Sequence, residues 1–369
     1  MPMHLPVMPP IAPMLAKPIT EIPPGHFYEP KWDGFRSIVF RDGDEVHIGS
    51  RNQRPMERYF PDVVAAVKDN VPARCVLDGE IVVPASDNHR LDFFALQQRI
   101  HPAASRIRLL AEQTPASFIA FDLLALEDID YMRRSFRERR APLEEALTSA
   151  AAPVHITPIT QDQELAKKWF DVFEGAGIDG LIAKKPEGTY EPDKRVMSKI
   201  KHVRTADCVV AGYRVHKTEG DAIGSLLLGL YVEPGTPMPP GFGAEPGALM
   251  PVGVVGAFPM ARRRELFVEL QPLVTDFEDH PWRWAEDEVA RARKGEGSRW
   301  NPTKDLSFVP LRPERVVEVR YDYMEGPRFR HTTQFVRWRP DRDPESCGYE
   351  QLEIPARLDL AEVLAGRVT

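Results

Sequence analysis

Apolar and polar positions alternate in short runs over most of this chain, and helical periodicity appears only later and briefly. Ser37–Phe40 and Val46–Ile48 flank Arg41-Asp42-Gly43-Asp44, whose Asp-Gly pair predicts a hairpin. Val76–Val83 reads as a strand interrupted by Asp78-Gly79-Glu80, a pattern that also fits a bulge with Glu80 paired to a lysine. Phe118–Leu124 is apolar on both faces except at Asp122, which predicts a central strand. Pro61 opens a short helix through Val67. Over Gln163–Phe173 the period lengthens, placing Leu165, Trp169 and Phe173 on one helical face before Gly175 and Gly177 stop it. A strand follows at Gly180–Ala183, while the prolines of residues 1–27 predict an extended course over a surface.

After about Arg204 the pattern changes. Short strands are predicted at Cys208–Tyr213, Ser225–Val232, Gly253–Phe258, Arg315–Tyr321 and Thr332–Trp338, with one helix over Ala261–Leu270 and a long loop over Pro234–Pro251. Strands and helices mix without a βαβ rhythm, so the fold class is α+β. The expected division is a first domain at 1–203, of antiparallel sheets with flanking helices, and a second at 204–369. Five short strands and one helix make that second domain a small barrel of the oligonucleotide-binding (OB) type.

Composition narrows the chemistry. The chain has 369 residues, 43% hydrophobic and 28% charged, enough for two separate cores. No apolar run nears the ~20 residues of a membrane span, and no signal peptide is evident at the N-terminus, so a cytoplasmic protein is expected. Cys75, Cys208 and Cys347 are far apart, and the histidines lack zinc spacing, which leaves a hard cation on oxygen ligands as the only metal chemistry. A net charge of −7 argues against a uniformly basic nucleic-acid coat. Ser198–Lys217 nevertheless carries Lys199, Lys201, Arg204, Arg214 and Lys217 against Asp207 alone, and Arg312–Arg342 has eight arginines facing five acids. Such patches can follow a phosphate backbone.

One set of segments carries the chemistry. Lys31-Trp32-Asp33-Gly34-Phe35-Arg36 supplies an amine, a carboxylate, a glycine and a cation; Ser50-Arg51-Asn52 follows the first hairpin. Leu77-Asp78-Gly79-Glu80 and Phe121-Asp122 add a carboxylate and an aromatic, and Asp179–Lys184 ends a strand with a lysine. Ser198-Lys199-Ile200-Lys201 projects both lysines from one strand face. In this order the segments resemble the motifs of the covalent nucleotidyltransferases, which comprise DNA ligases, RNA ligases and mRNA capping enzymes. Glu29-Pro30-Lys31-Trp32-Asp33-Gly34 and Arg337-Trp338-Arg339-Pro340-Asp341 look in particular like bacterial ATP-dependent ligases C and D, and the resemblance covers nearly the whole chain. One departure is Asp179, where the family usually has glutamate.

The resemblance implies an ATP-dependent sealing of nicks in duplex DNA through AMP carried on Lys31. Glu29 would meet the adenine edge, Phe121 would stack on its face, and Pro30 and Lys184 would also belong to the nucleotide site. Arg36 and Glu80 would contact the ribose, with Arg36 and Arg51 near the nick phosphate. Asp179, with Glu80 and Asp33, would organise Mg²⁺ or Mn²⁺. Lys199 and Lys201 would neutralise the α-phosphate, while Arg337, Arg339 and Asp341 of the second domain would close over ATP about a hinge near His202–Ala206. Only 30 residues precede Lys31, too few for a nicotinamide-gripping domain, so ATP is the expected donor. Expected partners are nicked or gapped duplex DNA in repair, together with polymerases and nucleases; no membrane is involved, and a monomer is expected. Three rivals stay open: a capping enzyme forming a GMP adduct, an RNA ligase, and a non-catalytic DNA-binding scaffold.

Overall fold

A computed structural model describes residues 3–235, 245–286, 307–322, 324–352 and 358–367. The chain divides into two compact units, one of Met1–Lys201 with Pro355–Thr369 and one of His202–Ile354. The sequence-based division assigned all of 204–369 to the second domain. Here Leu360 and Val363 instead join the core of the first unit beside Trp169 and Phe173, and the Leu360 N–H donates to the His89 carbonyl at 3.0 Å.

Two sheets organise the first unit. In one, Glu45–Ser50, Phe35–Asp42, Arg74–Val82, Ser117–Leu126 and Ile129–Asp130 lie side by side, with Val154–Ile156 parallel to Ser117–Leu126. The expected hairpin is present, with Asp42 paired to Glu45 across its turn. Ser117–Leu126 is central as its apolar pattern required, and Asp122 is buried within it. The irregularity expected near Asp78 is a register shift between Asp78 and Gly79 against that strand.

The second sheet runs Leu15–Ile19, Arg195–Ile200, Leu181–Lys184, Phe27–Pro30. Its first pair is parallel and joins the proline-rich leader to a segment some 180 residues on, with Pro18 opposite Lys199. Pro18 is tolerated because Leu15–Ile19 is an edge strand, where a missing N–H breaks no ladder. The helix Gln163–Val172 begins at Asp162, whose carboxylate caps the Glu164 and Leu165 N–H groups, and it buries Ala166 and Trp169.

The second unit is built on the path Leu249–Val255, Ile223–Tyr231, Arg204–Val215, Val316–Tyr321, Gln334–Trp338, five strands as expected, with Val309–Pro310 beside Arg204–Val215. Among the described residues the two outer strands meet through one bridge, Val255 to Thr333, so the barrel's ladder is not continuous there. The third strand starts at Leu249 rather than Gly253, and Pro251 sits within it on the outer edge of the path. Of the expected loop 234–251, residues 236–244 lie outside the described set. Helix Met260–Leu270 buries Leu266 and Leu270 against this sheet.

Candidate active site

Where the two sheets of the first unit adjoin, a cleft is lined by Glu29, Pro30, Lys31, Arg36, Arg51, Glu80, Phe121 and Lys199, all of them singled out by the sequence. Met14, Ile182 and Met197 supply apolar walls.

Lys31 follows the strand Phe27–Pro30, and its backbone is held at both ends. Its N–H donates to the Gly180 carbonyl at 2.9 Å, and its carbonyl accepts from the Asp179 N–H at 3.0 Å. Gly180 has φ +100°, and a Cβ there would collide with the Ile200 carbonyl, so only glycine lets the two strands approach this closely. The amine lies 2.6 Å from Asp179 Oδ2, and Lys201 Nζ reaches the same oxygen at 2.7 Å. Lys199 completes the cluster. Burial, then the neighbouring Lys31 and Lys201 ammoniums, lower its pKa against the opposing pull of Asp179.

Two further carboxylates approach Lys31. Burial raises Asp33 to about 8, with Lys31 opposing the shift and Asp179 and Glu80 adding to it. Burial likewise raises Glu80 to about 7 against the pull of Arg36 and Lys31; its carboxylate accepts from the Gly34 N–H. Gly34 is required here, because a Cβ would strike the Ile81 carbonyl and the Glu80 side chain. Among the described residues no set of three or more His, Cys, Asp or Glu is placed to hold a metal ion. The trio Asp179, Glu80 and Asp33 is therefore no ready-made metal cage, since Asp179 already holds two ammoniums.

Deeper in the cleft the charges are fixed in pairs. Glu29 is buried, with Oε1 2.9 Å from Lys184 Nζ, while its Oε2 is buried without a hydrogen-bond partner. Burial raises the Glu29 pKa, and Lys184 opposes that rise. Lys184 does not line this cleft: its ammonium is held by Glu29 and by the Phe121 carbonyl at 3.0 Å, with Asp122 Oδ2 at 3.9 Å. Asp122 is in turn bound by buried Arg139 through bonds of 2.7 and 3.0 Å. On the other side Arg36 clamps Asp78 through two bonds of 2.6 Å and sits 4.5 Å from the Phe121 ring centroid. Glu80 lies opposite Arg36 across the strands, and the Arg36 and Lys31 charges both act on its carboxylate. Phe121 is both packed in the core and a wall of the cleft. Trp32 is buried, its indole N–H on Thr157 at 2.9 Å, as packing requires.

Arg337 and Arg339 belong to the second unit. Arg337 is 60% exposed and pairs with Glu318 at 2.6 Å. Arg339 holds Asp207 at 2.9 Å and Asp341 at 2.9 Å, and its hydrogen bonds draw the Asp341 carboxyl down to about 2. The sequence did not assign site roles to Asp78, Tyr190, Met14 or Arg139; a buried acid inside an apolar strand was the one available signal, for Asp78 and Asp122 alike.

The family described as "ATP dependent DNA ligase domain" matches residues 13–201, and "ATP dependent DNA ligase C terminal region" matches residues 219–342. The chain is 64% identical to DNA ligase C of Mycobacterium tuberculosis over 99% of both chains. It is also 64% identical to DNA ligase C2 of Mycolicibacterium smegmatis over 96% of this chain and 97% of that one. A solved Lig E DNA ligase shares the fold at 15% identity, with a TM-score of 0.53 over 89% of this chain and 99% of that chain.

Proposed function

Because the chain belongs to the ATP-dependent DNA ligase family, we propose that Lys31 is the residue that carries AMP between ATP and a DNA nick. The enzyme is an ATP-dependent DNA ligase with DNA as its substrate. One observation carries it: a single cleft is lined by both Lys31 and Glu29, and Glu29 keeps one buried carboxylate oxygen, Oε2, without a hydrogen-bond partner. An adenine amino group would supply the missing donor, where guanine carries an acceptor oxygen at the same ring position. ATP thus fits from base to α-phosphate.

In the first step the Lys31 nitrogen forms a bond to the α-phosphorus, and the bond to the β-bridging oxygen breaks, releasing pyrophosphate. Asp179 is placed to accept the proton the amine must lose. Lys199 and Lys201 offset the charge on the phosphoryl oxygens. A 5′-phosphate oxygen then attacks the adenylate and frees Lys31, and the 3′-hydroxyl displaces AMP to join the strands. Lys184 holds Glu29 in place instead of touching nucleotide. Arg51, exposed at the cleft mouth, and Arg36 are assigned to the nick phosphate. Arg337 and Arg339 are assigned to the ATP phosphates, because Arg337 is itself open to solvent and the exposed Asp341 on Arg339 is readily exchanged for phosphate oxygens.

Asp179, Asp33 or Glu80 would hold a Mg²⁺ or Mn²⁺ ion together with phosphate oxygens and water, and the ion would supply neutralisation of phosphate charge. The reaction needs a 3′-hydroxyl abutting a 5′-phosphate, so in repair it follows the polymerases and nucleases that prepare such ends. The test is incubation with α-labelled ATP or GTP, then chase into nicked duplex DNA. A denaturation-stable adduct from ATP that transfers to the 5′-phosphate supports the reading. An adduct with GTP alone, or one that DNA cannot discharge, contradicts it.

A further inference from the structure

Around Met14 the hydrogen bonds close into a ring. The Met14 N–H donates to Tyr190 Oη at 3.1 Å, and Tyr190 Oη donates to Asp78 Oδ2 at 2.6 Å. The same Asp78 oxygen accepts from Arg36 Nη2 at 2.6 Å, and Arg36 Nη2 also donates to the Met14 carbonyl at 3.3 Å. Met14 is therefore held at both ends of its backbone, by the tyrosine on one side and the arginine on the other.

The members of this ring come from distant parts of the chain. Met14 precedes the edge strand Leu15–Ile19, Arg36 and Asp78 lie on neighbouring strands of the other sheet, and Tyr190 lies between Leu181–Lys184 and Arg195–Ile200. Met14 and Arg36 both line the cleft, and Arg36 lies against Phe121. Asp78 and Tyr190 are buried behind them. Burial, then the Asp78 charge, hold the Tyr190 hydroxyl well above its usual pKa, so it stays a donor at any working pH.

We infer that Tyr190 is a positioning residue for adenylation: its hydroxyl closes the Met14–Tyr190–Asp78–Arg36 ring that fixes the spacing between the Met14 wall and the Arg36–Phe121 wall, and so preforms the slot for the adenine base. This rests on the assignment of ATP to this cleft. A buried polar ring with every member satisfied holds a geometry more sharply than apolar packing alone. Slot width set in advance favours capture of the flat base and does not alter the bond changes at phosphorus.

The experiment is Tyr190→Phe in the full chain, which keeps the phenyl group and deletes both hydrogen bonds of the hydroxyl. Initial rates of lysyl-AMP formation are measured against ATP, with tripolyphosphate as an inhibitor that has no base. The expected result is KM for ATP raised ~tenfold, as for a lost buried hydrogen bond, with kcat nearly unchanged and tripolyphosphate inhibition as in the parent. An unchanged KM overturns the inference; so does weakening of ATP and tripolyphosphate by the same factor, which a general loosening of the unit would produce. Lys31→Ala, run in parallel, separates the two levels. If that variant still forms the adduct, the cleft assignment itself fails; if it forms none and Tyr190→Phe behaves as the parent, only the ring's role fails.

Discussion

Arginine meets carboxylate in two contrasting ways in this enzyme. In the first unit Arg36 is locked on Asp78, which has no solvent exposure, and every hydrogen bond around it serves a neighbour of the cleft. In the second unit Arg337 lies 60% exposed on Glu318, and Arg339 spans Asp207 and Asp341, of which Asp341 is exposed. The first arrangement cannot be taken apart cheaply, because an uncompensated charge would stay buried. In the second, Arg337 is itself open to solvent, and the exposed Asp341 can be exchanged for another anion at little cost. On the proposed roles, the fixed Arg36 keeps one aim toward the base slot and the nick phosphate, while the second unit's arginines can follow ATP phosphates that arrive and leave within one catalytic cycle.

The largest effect that sharpens this contrast is expected from Asp78→Ala. Stranding the Arg36 guanidinium should cost about 3–5 kcal/mol in chemical denaturation, as for other broken buried pairs. Next comes Glu29→Gln, which weakens the acceptor proposed for the adenine amino group. ATP binding measured by calorimetry should fall by roughly 1.5–3 kcal/mol, the range for hydrogen bonds to charged groups. A smaller effect concerns Asp33. Its folded pKa of about 8 lies above an unfolded value of about 3.9. The folded state therefore binds more protons between those values, and the stability this carboxyl contributes is lost as pH rises through about 8. Asp33→Asn should raise Tm by about 2–4 °C at pH 9, and by less at pH 5. Smallest of all, Arg337→Ala should change unfolding free energy by less than about 1 kcal/mol, while slowing lysyl-AMP formation. If Arg337→Ala destabilised as much as Asp78→Ala, the contrast between the two regions would collapse.

How far the sequence could be read follows the same division. The hairpin at Phe35–Ser50, the central strand at Ser117–Leu126 and the helix at Gln163–Val172 show their periods locally, and the motif residues lining the cleft were legible one by one. The strand Leu15–Ile19 was not, because its pairing depends on Arg195–Ile200, far along the chain. Helix Phe136–Ala146 hides for another reason. Its buried face includes Arg139 and Arg140, and Pro142 lies within it, so neither apolar period nor propensity reveals it. Arg139 is accommodated in that interior by Asp122 together with the Arg134 and Gly188 carbonyls, and its ion pair joins elements that no local pattern links. The same holds for the Met14 ring and for the return of Leu360–Leu364 to the first unit.

The identity of the nucleophile is read out by mass-spectrometric mapping of the adenylated protein after reaction with ATP. Three lysine amines lie around Asp179, so the map discriminates between close neighbours. AMP is expected on Lys31 alone, lost when the sample is chased with nicked DNA. Adenylate on Lys199 or Lys201, or an adduct that persists in Lys31→Ala, would contradict it.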